Sequence, residues 1–222
     1  MTAWPSSADE LVEAQRALAQ ARPPAFQPSL QTTVVAGCFV CSSRGKEGVG
    51  TAGDPLWAAA AAQSDTAVIE AEAGASYLPG LLALREGTAL EAAVRALGQT
   101  PDTLLADATG RDHPRRAGLA LHLGAVLDAP TVGVTHRPLL AAGAWPSDEP
   151  GARSPLLLDD TVVGYWLRTR SGTRPLAVHA AWRTDPETAV EIVLTTLAGR
   201  RTPEPLRRAR RAARAARAAA DF

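Results

Sequence analysis

Lysine, cysteine and aromatic residues are scarce in this chain of 222 residues. Lys46 is the only lysine, so arginine supplies the rest of the positive charge, and the formal net charge is zero. A chain without a net positive charge gives no indication of a nucleic-acid partner from its composition alone. The abundance of arginine and alanine is explained most simply by a GC-rich genome.

The two cysteines, Cys38 and Cys41, form a CFVC spacing. Such a spacing occurs in redox and zinc sites, but a second pair of ligands is missing from the sequence. Successive side chains of a strand alternate between its faces, so residues three apart point in opposite directions. We therefore interpret both cysteines as small core residues.

Long hydrophobic runs are also missing. No stretch reaches the ~18 to 20 apolar residues that a membrane span needs, and the N-terminus has no basic region followed by an apolar one. We expect a cytoplasmic protein without membrane contact. The length and the 46% of apolar residues suit one domain over residues 1–199, followed by an Arg/Ala-rich tail over 200–222.

The pattern of apolar residues and turn formers predicts an α/β fold with a mixed central sheet flanked by helices. Three strands form an antiparallel meander that leads into parallel strands of a β-α-β unit. The alanine run of the second strand is equally compatible with a helix by propensity, but Gly53 and Pro55 before it favour a strand. The predicted helices are 7–21, 81–97, 115–128 and 185–199; the predicted strands are 34–41, 56–63, 66–73, 103–108, 131–136, 161–170 and 175–182; and 138–160 is a predicted loop.

Polar residues follow the predicted strands at one end of the sheet. Asp107 ends one short apolar strand, His136 ends the next, and Glu86 lies on or near the helix between the meander and the β-α-β unit. Open α/β sheets place their chemistry at such strand ends. These three residues are therefore candidates for a site.

The order of motifs resembles the endonuclease V family. The motifs are YLPG from Tyr77, REG from Arg85, a strand ending in Asp107, HPRRAGLALHLG from His113, PTVGV and PETAVEIVL. The resemblance covers about residues 34–205 and implies a ribonuclease-H-like fold. It also implies cleavage of a nucleic-acid strand near deoxyinosine or inosine with a divalent metal.

The resemblance carries over to the acidic centre only in part. Glu86 and Asp107 match two of the family's carboxylates and are the candidate ligands of Mg²⁺, which prefers oxygen ligands. An aspartate of the first strand, a lysine, a histidine and a glycine of the family are replaced by Phe39, His136, Trp182 and Ala108. Two carboxylates hold Mg²⁺ only weakly, so we expect impaired or lost cleavage. The methyl group of Ala108 also makes inosine specificity doubtful.

The motif Tyr77-Leu78-Pro79-Gly80 matches the wedge that the family inserts into a duplex. Gly80, Leu82 and His113 correspond to residues around the everted base, whose eversion costs a few kcal/mol. Without the resemblance, YLPG also fits an ordinary turn before a helix, and His113 a residue at a helix start. Both interpretations stay open at the level of sequence.

The tail places five arginines toward one side of a predicted helix, namely Arg207, Arg210, Arg211, Arg214 and Arg217. Such a basic stripe is suited to phosphate contacts, whose strength falls with salt. The alternative is a solvated, frayed terminus.

Three functions are compatible with these residues. The first is binding of DNA or RNA, inosine-containing or mismatched, without cleavage. The second is a residual Mg²⁺- or Mn²⁺-dependent, inosine-specific nuclease that uses Glu86 and Asp107. The third is an enzyme for a small molecule, in which Cys41 is activated by His113 or His136, and in which Phe39 and Trp182 form an apolar pocket.

Overall fold

The computed structural model describes residues 3–29, 33–43 and 49–220. Lys46 and residues 44–48 of the predicted linker lie outside the described residues. In the described part the elements follow one another as α1 (Ala8–Gln20), β1 (Val35–Ser42), β2 (Pro55–Ala62), β3 (Asp65–Glu72), α2 (Leu82–Arg95), β4 (Thr103–Ala106), α3 (Leu119–Leu127), β5 (Thr131–Thr135), β6 (Arg153–Leu158), β7 (Thr161–Leu167), β8 (Leu176–Ala180), α4 (Pro186–Thr195) and α5 (Glu204–Ala220).

The strands form one mixed sheet in the order β3-β2-β1-β4-β5-β8-β7-β6. Strands β1, β4 and β5 are parallel to one another, and their outer neighbours pair antiparallel. The predicted meander and β-α-β unit are thereby confirmed. The parallel centre brings the carboxyl ends of β4 and β5 to the same edge of the sheet, where Asp107 and His136 follow.

The alanine run is the strand β2, in the middle of the meander. Alternate alanines face the core beneath α2 and the cluster beneath α5, so both faces are buried. Small side chains let helices approach the sheet from both sides. Burial between two layers therefore overrides the helix propensity of alanine.

Strand β6 lies within the segment that the sequence predicted to be a loop. It is the last strand of the sheet order and pairs with β7, its register shifts between Leu156 and Leu157, and a single bridge joins Leu157 to Ala142. Pro155 is tolerated there because a strand edge has backbone groups that need no partner strand. The short, irregular pairing explains why the segment gave no clear alternating pattern.

Helix α5 packs against β1 and β2 and is not a frayed terminus. Its face of Leu206, Ala209 and Ala213 is fully buried on the sheet. Gly37 of β1 lies so close to the backbone of Leu206 that any side chain there would overlap it. The alternative of a solvated tail is therefore wrong. Within the described residues, no helix combines the length and the apolar character that crossing a membrane demands.

Candidate functional site

Phe39 and Asp107 lie side by side on neighbouring parallel strands. Cys38 of β1 pairs in register with Ala106 of β4, and the backbone N–H of Asp107 reaches the carbonyl of Cys38 at 3.4 Å. Phe39 follows Cys38 in β1, and Asp107 follows Ala106 directly after β4. The two residues are therefore neighbours. Cys38 points the other way into the core, where burial raises the pKa of its thiol to about 12.

A guanidinium from α5 occupies the space above these two residues. Arg210 Nη2 donates to Asp107 Oδ2 at 2.9 Å, and the Arg210 Cζ lies 5.3 Å from the centre of the Phe39 ring. A second guanidinium, that of Arg214, lies 5.5 Å from the same ring. Cations are attracted to the face of an aromatic ring, so Phe39 helps to hold both arginines in place.

Glu86 lies near this cluster on the first turns of α2. Burial raises the pKa of its carboxyl to about 7; the positive charge of Arg85 opposes this shift, and the negative charge of Asp107 adds to it. Arg85 forms a buried ion pair with Asp54 at 3.1 Å and donates to the carbonyls of Thr51 and Ala75. These bonds fix the start of α2, and with it Glu86, against the loop before β2.

The three positions do not fit a pair of divalent ions. Mg²⁺ takes oxygen ligands, whereas Phe39 offers none and the Asp107 carboxylate is already bound by Arg210. Glu86 has to release a proton near neutral pH before it can act as a ligand. Within the described ranges, no three His, Cys, Asp or Glu side chains converge into a cation-binding group.

His136 lies at the rim of the cluster, just after β5. Its Nδ1 faces Arg201 Nη1 at 3.2 Å. Burial lowers the pKa of His136, as do the charges of Arg201 and Arg210, while Asp107 opposes the shift. The imidazole is therefore a neutral acceptor for Arg201 around neutral pH.

A pocket of about 220 Å³ lies beside Asp107, lined among others by Tyr77, Leu82, Ala108 and Thr135. The carbonyl of Gly80 at its wall accepts three bonds, from Gln15 Nε2 at 3.1 Å, His113 Nε2 at 3.1 Å and Arg115 Nη2 at 2.8 Å. Gly80 has φ +77°, a backbone conformation that side chains disfavour. The wall of the pocket is thus rigid.

His113 is neutral in this setting. Burial is the main cause that lowers its pKa to about 4, and the charge of Arg115 adds to it. Its Nδ1 accepts from the backbone N–H of Arg115 at 3.2 Å, so Nε2 carries the proton and donates to Gly80. Tyr77 and Leu78 project at the rim, with 39% and 51% of their surface exposed.

The endonuclease V family model matches residues 19–211. The chain belongs to the endonuclease V family. The endonuclease V of Roseiflexus castenholzii is 41% identical over 145 residues, and that of Geotalea uraniireducens is 44% identical over 133 residues. These matches cover 65% and 60% of this chain, and the chain spans only 65% and 57% of the lengths of the two relatives.

Solved structures of endonuclease V share the fold. The protein from Streptomyces avermitilis is 31% identical, with a TM-score of 0.85 over 99% of this chain and 96% of its own. The catalytic domain of human endonuclease V is 27% identical, with a TM-score of 0.80 over 96% of both chains. A D234N variant from Ciona intestinalis, 20% identical with a TM-score of 0.77 over 96% of this chain and 98% of its own, was crystallised with a 23-mer DNA containing an inosine.

Trp182 lies at the opposite end of the sheet from Asp107 and His136, so the structure does not bring it together with them. Its carbonyl accepts from the backbone N–H of Thr131, the first residue of β5, whereas Asp107 and His136 follow the opposite ends of their strands. Trp182 directly precedes the RTDPETA motif, where the family has a histidine. In the structure it lies at the start of β5, whereas His136 follows the end of that strand. Helix α5 supplies Arg210 to the cleft instead.

Cys41 shares a face with Phe39, as predicted. It packs in the cluster of Trp57 and the small residues of α5. His113 lies against Gly80 and His136 against Arg201. These contacts of the two histidines give the small-molecule enzyme no support.

Two functional contributions were missed at the level of sequence. One is the Arg210 ion pair, which needs the docked position of α5. The other is Asp112, whose buried carboxylate accepts from the backbone N–H groups of Leu139, Leu140 and Ala141 at 2.6, 2.9 and 2.8 Å. These bonds hold the loop after β5 beside the pocket. The only sequence signal for Asp112 was its place in the RDHP motif.

Proposed function

We propose that this endonuclease V family protein binds inosine-containing or mismatched DNA or RNA, and that its metal-dependent cleavage is impaired or lost. The observation that carries the proposal is the ion pair of Arg210 with Asp107 above the Phe39 ring. The ion pair keeps positive charge next to the wedge and the pocket, and it occupies one of the two carboxylates that are the candidate metal ligands.

Electrostatics opposes a divalent ion at Asp107. Two unit charges 4 Å apart interact by about 4 kcal/mol near a protein surface, and a divalent ion doubles that figure. An ion at Asp107 has to displace Arg210 and then meet the repulsion of Arg210 and Arg214. The negative charge of Glu86 offsets this repulsion only weakly, since burial keeps its carboxyl partly protonated at neutral pH.

The same guanidiniums suit a phosphate. Arginine binds phosphate oxygens with two parallel donors, and it stays charged throughout the physiological pH range. Arg214 is exposed at the surface, and Arg210 is accessible in part. In this proposal a backbone phosphate meets the arginines where the family's metal ions meet the strand to be cut.

The binding elements of the family are retained. Tyr77 and Leu78 are exposed at the rim of a 220 Å³ pocket, and an aromatic ring in that place replaces lost base stacking, worth about 1 to 3 kcal/mol per base. Neutral His113 and the carbonyl of Gly80 form a rigid polar wall. Ala108 narrows the pocket by one methyl group and is buried at 5% exposure.

Fluorescence anisotropy with labelled oligonucleotides tests binding. We expect inosine-containing strands to bind at low salt without added metal, and the affinity to fall steeply as salt rises. Tyr77→Ala is expected to weaken binding, whereas Arg95→Ala, at the far end of α2 from Glu86, is the control that leaves it unchanged. No binding to inosine-containing, mismatched or unmodified strands would remove the proposal.

A cleavage assay with Mg²⁺ or Mn²⁺ tests the second half. A cleaving member of the family serves as the positive control, and we expect this chain to give no product, or far less product, under the same conditions. Cleavage at the control's rate that Asp107→Ala abolishes would favour the residual nuclease instead.

A further inference from the structure

A line of side chains leads from the cleft to the loop after β5, and we call it the basic strip: Arg210, His136, Arg201, Arg174 and Trp145. Arg201 faces His136 at 3.2 Å and donates through Nε to the carbonyl of Arg174 at 2.7 Å. The Arg174 guanidinium lies 5.5 Å from the centre of the Trp145 ring. The strip therefore links Asp107, through Arg210, to an aromatic ring outside the pocket.

Trp145 at the end of the strip is exposed and yet held firmly. The residue is 53% exposed, its ring meets the buried Trp166 edge to face at 6.3 Å, and the Arg168 guanidinium lies 5.8 Å from the ring centre. Trp166 Nε1 donates to the carbonyl of Gly143 at 3.1 Å, so the chain just before Trp145 is fixed. A large exposed ring on a fixed backbone loses little conformational entropy when a ligand stacks on it.

Arg168 fixes the other side of the same loop. Its guanidinium is buried at 7% exposure and donates to the carbonyls of Pro146, Ser147 and Thr173. The carboxylate of Asp148, 3.3 Å away, balances its charge. The positive charge of Arg168 is thus used within the protein, and Arg168 is not counted as part of the strip.

Arg210 of the strip pairs with Asp107, but the charges of the other two guanidiniums are not balanced in this way within the described residues. Among the residues that the structure describes, neither Arg174 nor Arg201 forms an ion pair with a carboxylate. Arg201 lies close enough to Arg174 and Arg210 that their charges, after burial, lower its pKa. Like charges held together raise the free energy of the empty surface, and an anion along the strip relieves that repulsion.

We propose that the basic strip binds single-stranded nucleic acid that leaves the cleft, with phosphates on Arg174 and Arg201 and one base stacked on Trp145. This inference rests on the proposed function and extends it beyond the pocket. Alternating guanidiniums and an exposed indole suit a single strand, because every base has a face that stacks and every nucleotide carries a phosphate. A paired duplex offers no free base face to Trp145.

Oligonucleotide length provides the test. A single strand of about 12 nucleotides reaches beyond the pocket, whereas one of about 4 nucleotides fills little more than the cleft. With inosine in both probes, Trp145→Ala is expected to weaken the long probe by about 5-fold or more, from the loss of one stacked base. The short probe is expected to bind both proteins alike, and Trp145→Phe to retain most of the affinity for the long one.

Arg174→Ala tests the charge of the strip. It is expected to weaken the long probe and to make the salt dependence shallower by about one phosphate contact, since each contact releases its own counterion. Arg95→Ala removes a charge elsewhere and is expected to change neither quantity. Circular dichroism checks that each variant keeps its fold. We expect the fold to be kept, because the bonds of Arg168 hold the loop in place.

The outcomes separate the two proposals. If the wild type binds the long probe and Tyr77→Ala weakens it, while Trp145→Ala and Arg174→Ala leave both affinity and salt dependence unchanged, the strip is refuted and the proposed function stands. If the wild type binds neither probe at low salt, both fall together. Loss of the short probe in Trp145→Ala also overturns the strip, because that result places Trp145 in the cleft or shows damage to it.

Discussion

The indole of Trp4 stacks on the imidazole of His122, with ring centres 4.7 Å apart and planes inclined by 19°. His122 lies on α3 at 0% exposure, and neither of its ring nitrogens has a hydrogen-bond partner among the described residues. Trp4 donates through Nε1 to Glu91 of α2 at 2.6 Å. The stacked pair thus ties the segment before α1 to two helices.

Acid is expected to destabilise the protein through His122. Burial lowers its pKa from 6.5 to about 4 in the folded state, so the unfolded chain binds the proton more readily between these values. The stabilising contribution is fully present above pH 6.5 and is lost as the pH falls toward 4. One pKa unit corresponds to about 1.4 kcal/mol, so the loss from this residue is on the order of 3 kcal/mol.

Urea titrations between pH 7.5 and 4.5 measure this dependence. His122→Phe keeps a ring for Trp4 to stack on and removes the proton, so its stability is expected to vary less with pH than that of the wild type. Some dependence remains, because burial also lowers the pKa values of His113 and His179 to about 4. Equal pH dependence in wild type and variant would contradict the assignment to His122.

Gly87→Ala is expected to destabilise the protein, although alanine favours helices by about 1 kcal/mol over glycine. A Cβ at Gly87 overlaps the ring of Trp4, and overpacking of this kind costs about 1 to 3 kcal/mol. The glycine of the REG motif therefore serves the packing of Trp4. The urea midpoint measures the change, and adding Trp4→Ala to Gly87→Ala is expected to cancel the clash, so that the two substitutions are non-additive.

Asp112→Asn is expected to cost about 2 kcal/mol, because hydrogen bonds to a charged group contribute about 1.5 to 3 kcal/mol each and an amide keeps only one acceptor. Three backbone donors of residues 139–141 depend on that buried carboxylate. Asp159→Asn is the matched control, since Asp159 pairs with Arg116 at 85% side-chain exposure and such pairs contribute about 0 to 1 kcal/mol. Equal losses in the two variants would show that the loop does not depend on Asp112.

Phe39→Asp combined with Arg210→Ala is expected to create affinity for Mn²⁺. The double variant adds a carboxylate beside Asp107 and removes the cation that binds it, and the charge of Asp107 already acts on the nearby Glu86. Calorimetry measures the binding, and Phe39→Leu with Arg210→Ala is the control without the new ligand. Equal Mn²⁺ affinity in both double variants would show that Phe39 is not the position that excludes the metal.

The sequence predicted the centre of the fold because local signals agree there. Turn formers separate β1, β2 and β3, and short apolar strands alternate with an apolar helix around Asp107 and His136. Strand β6 was missed, since an edge strand with Pro155 and a shifted register lacks the alternation of a paired strand. Helix α5 was predicted as a helix, but its partner was not, because alanine faces are as compatible with water as with a sheet of alanines.

The closeness of Glu86 and Asp107 in the candidate site could be predicted from sequence order, whereas contacts between distant parts of the chain could not. Glu86 and Asp107 follow from motifs, whereas Arg210 meets Asp107 across 103 positions of the chain. Trp182 is the opposite case: its position next to a family motif suggested a place beside Asp107, but it lies at the other end of the strands. Linear spacing does not say which end of a strand a following residue reaches.

The cation that faces Asp107 is a side chain of the protein, fixed to α5 and steadied by the ring of Phe39. Under the proposed function, a chelator is therefore expected to leave the binding of nucleic acid unchanged. The charge of Arg210 does not depend on the concentration of divalent ions around the molecule.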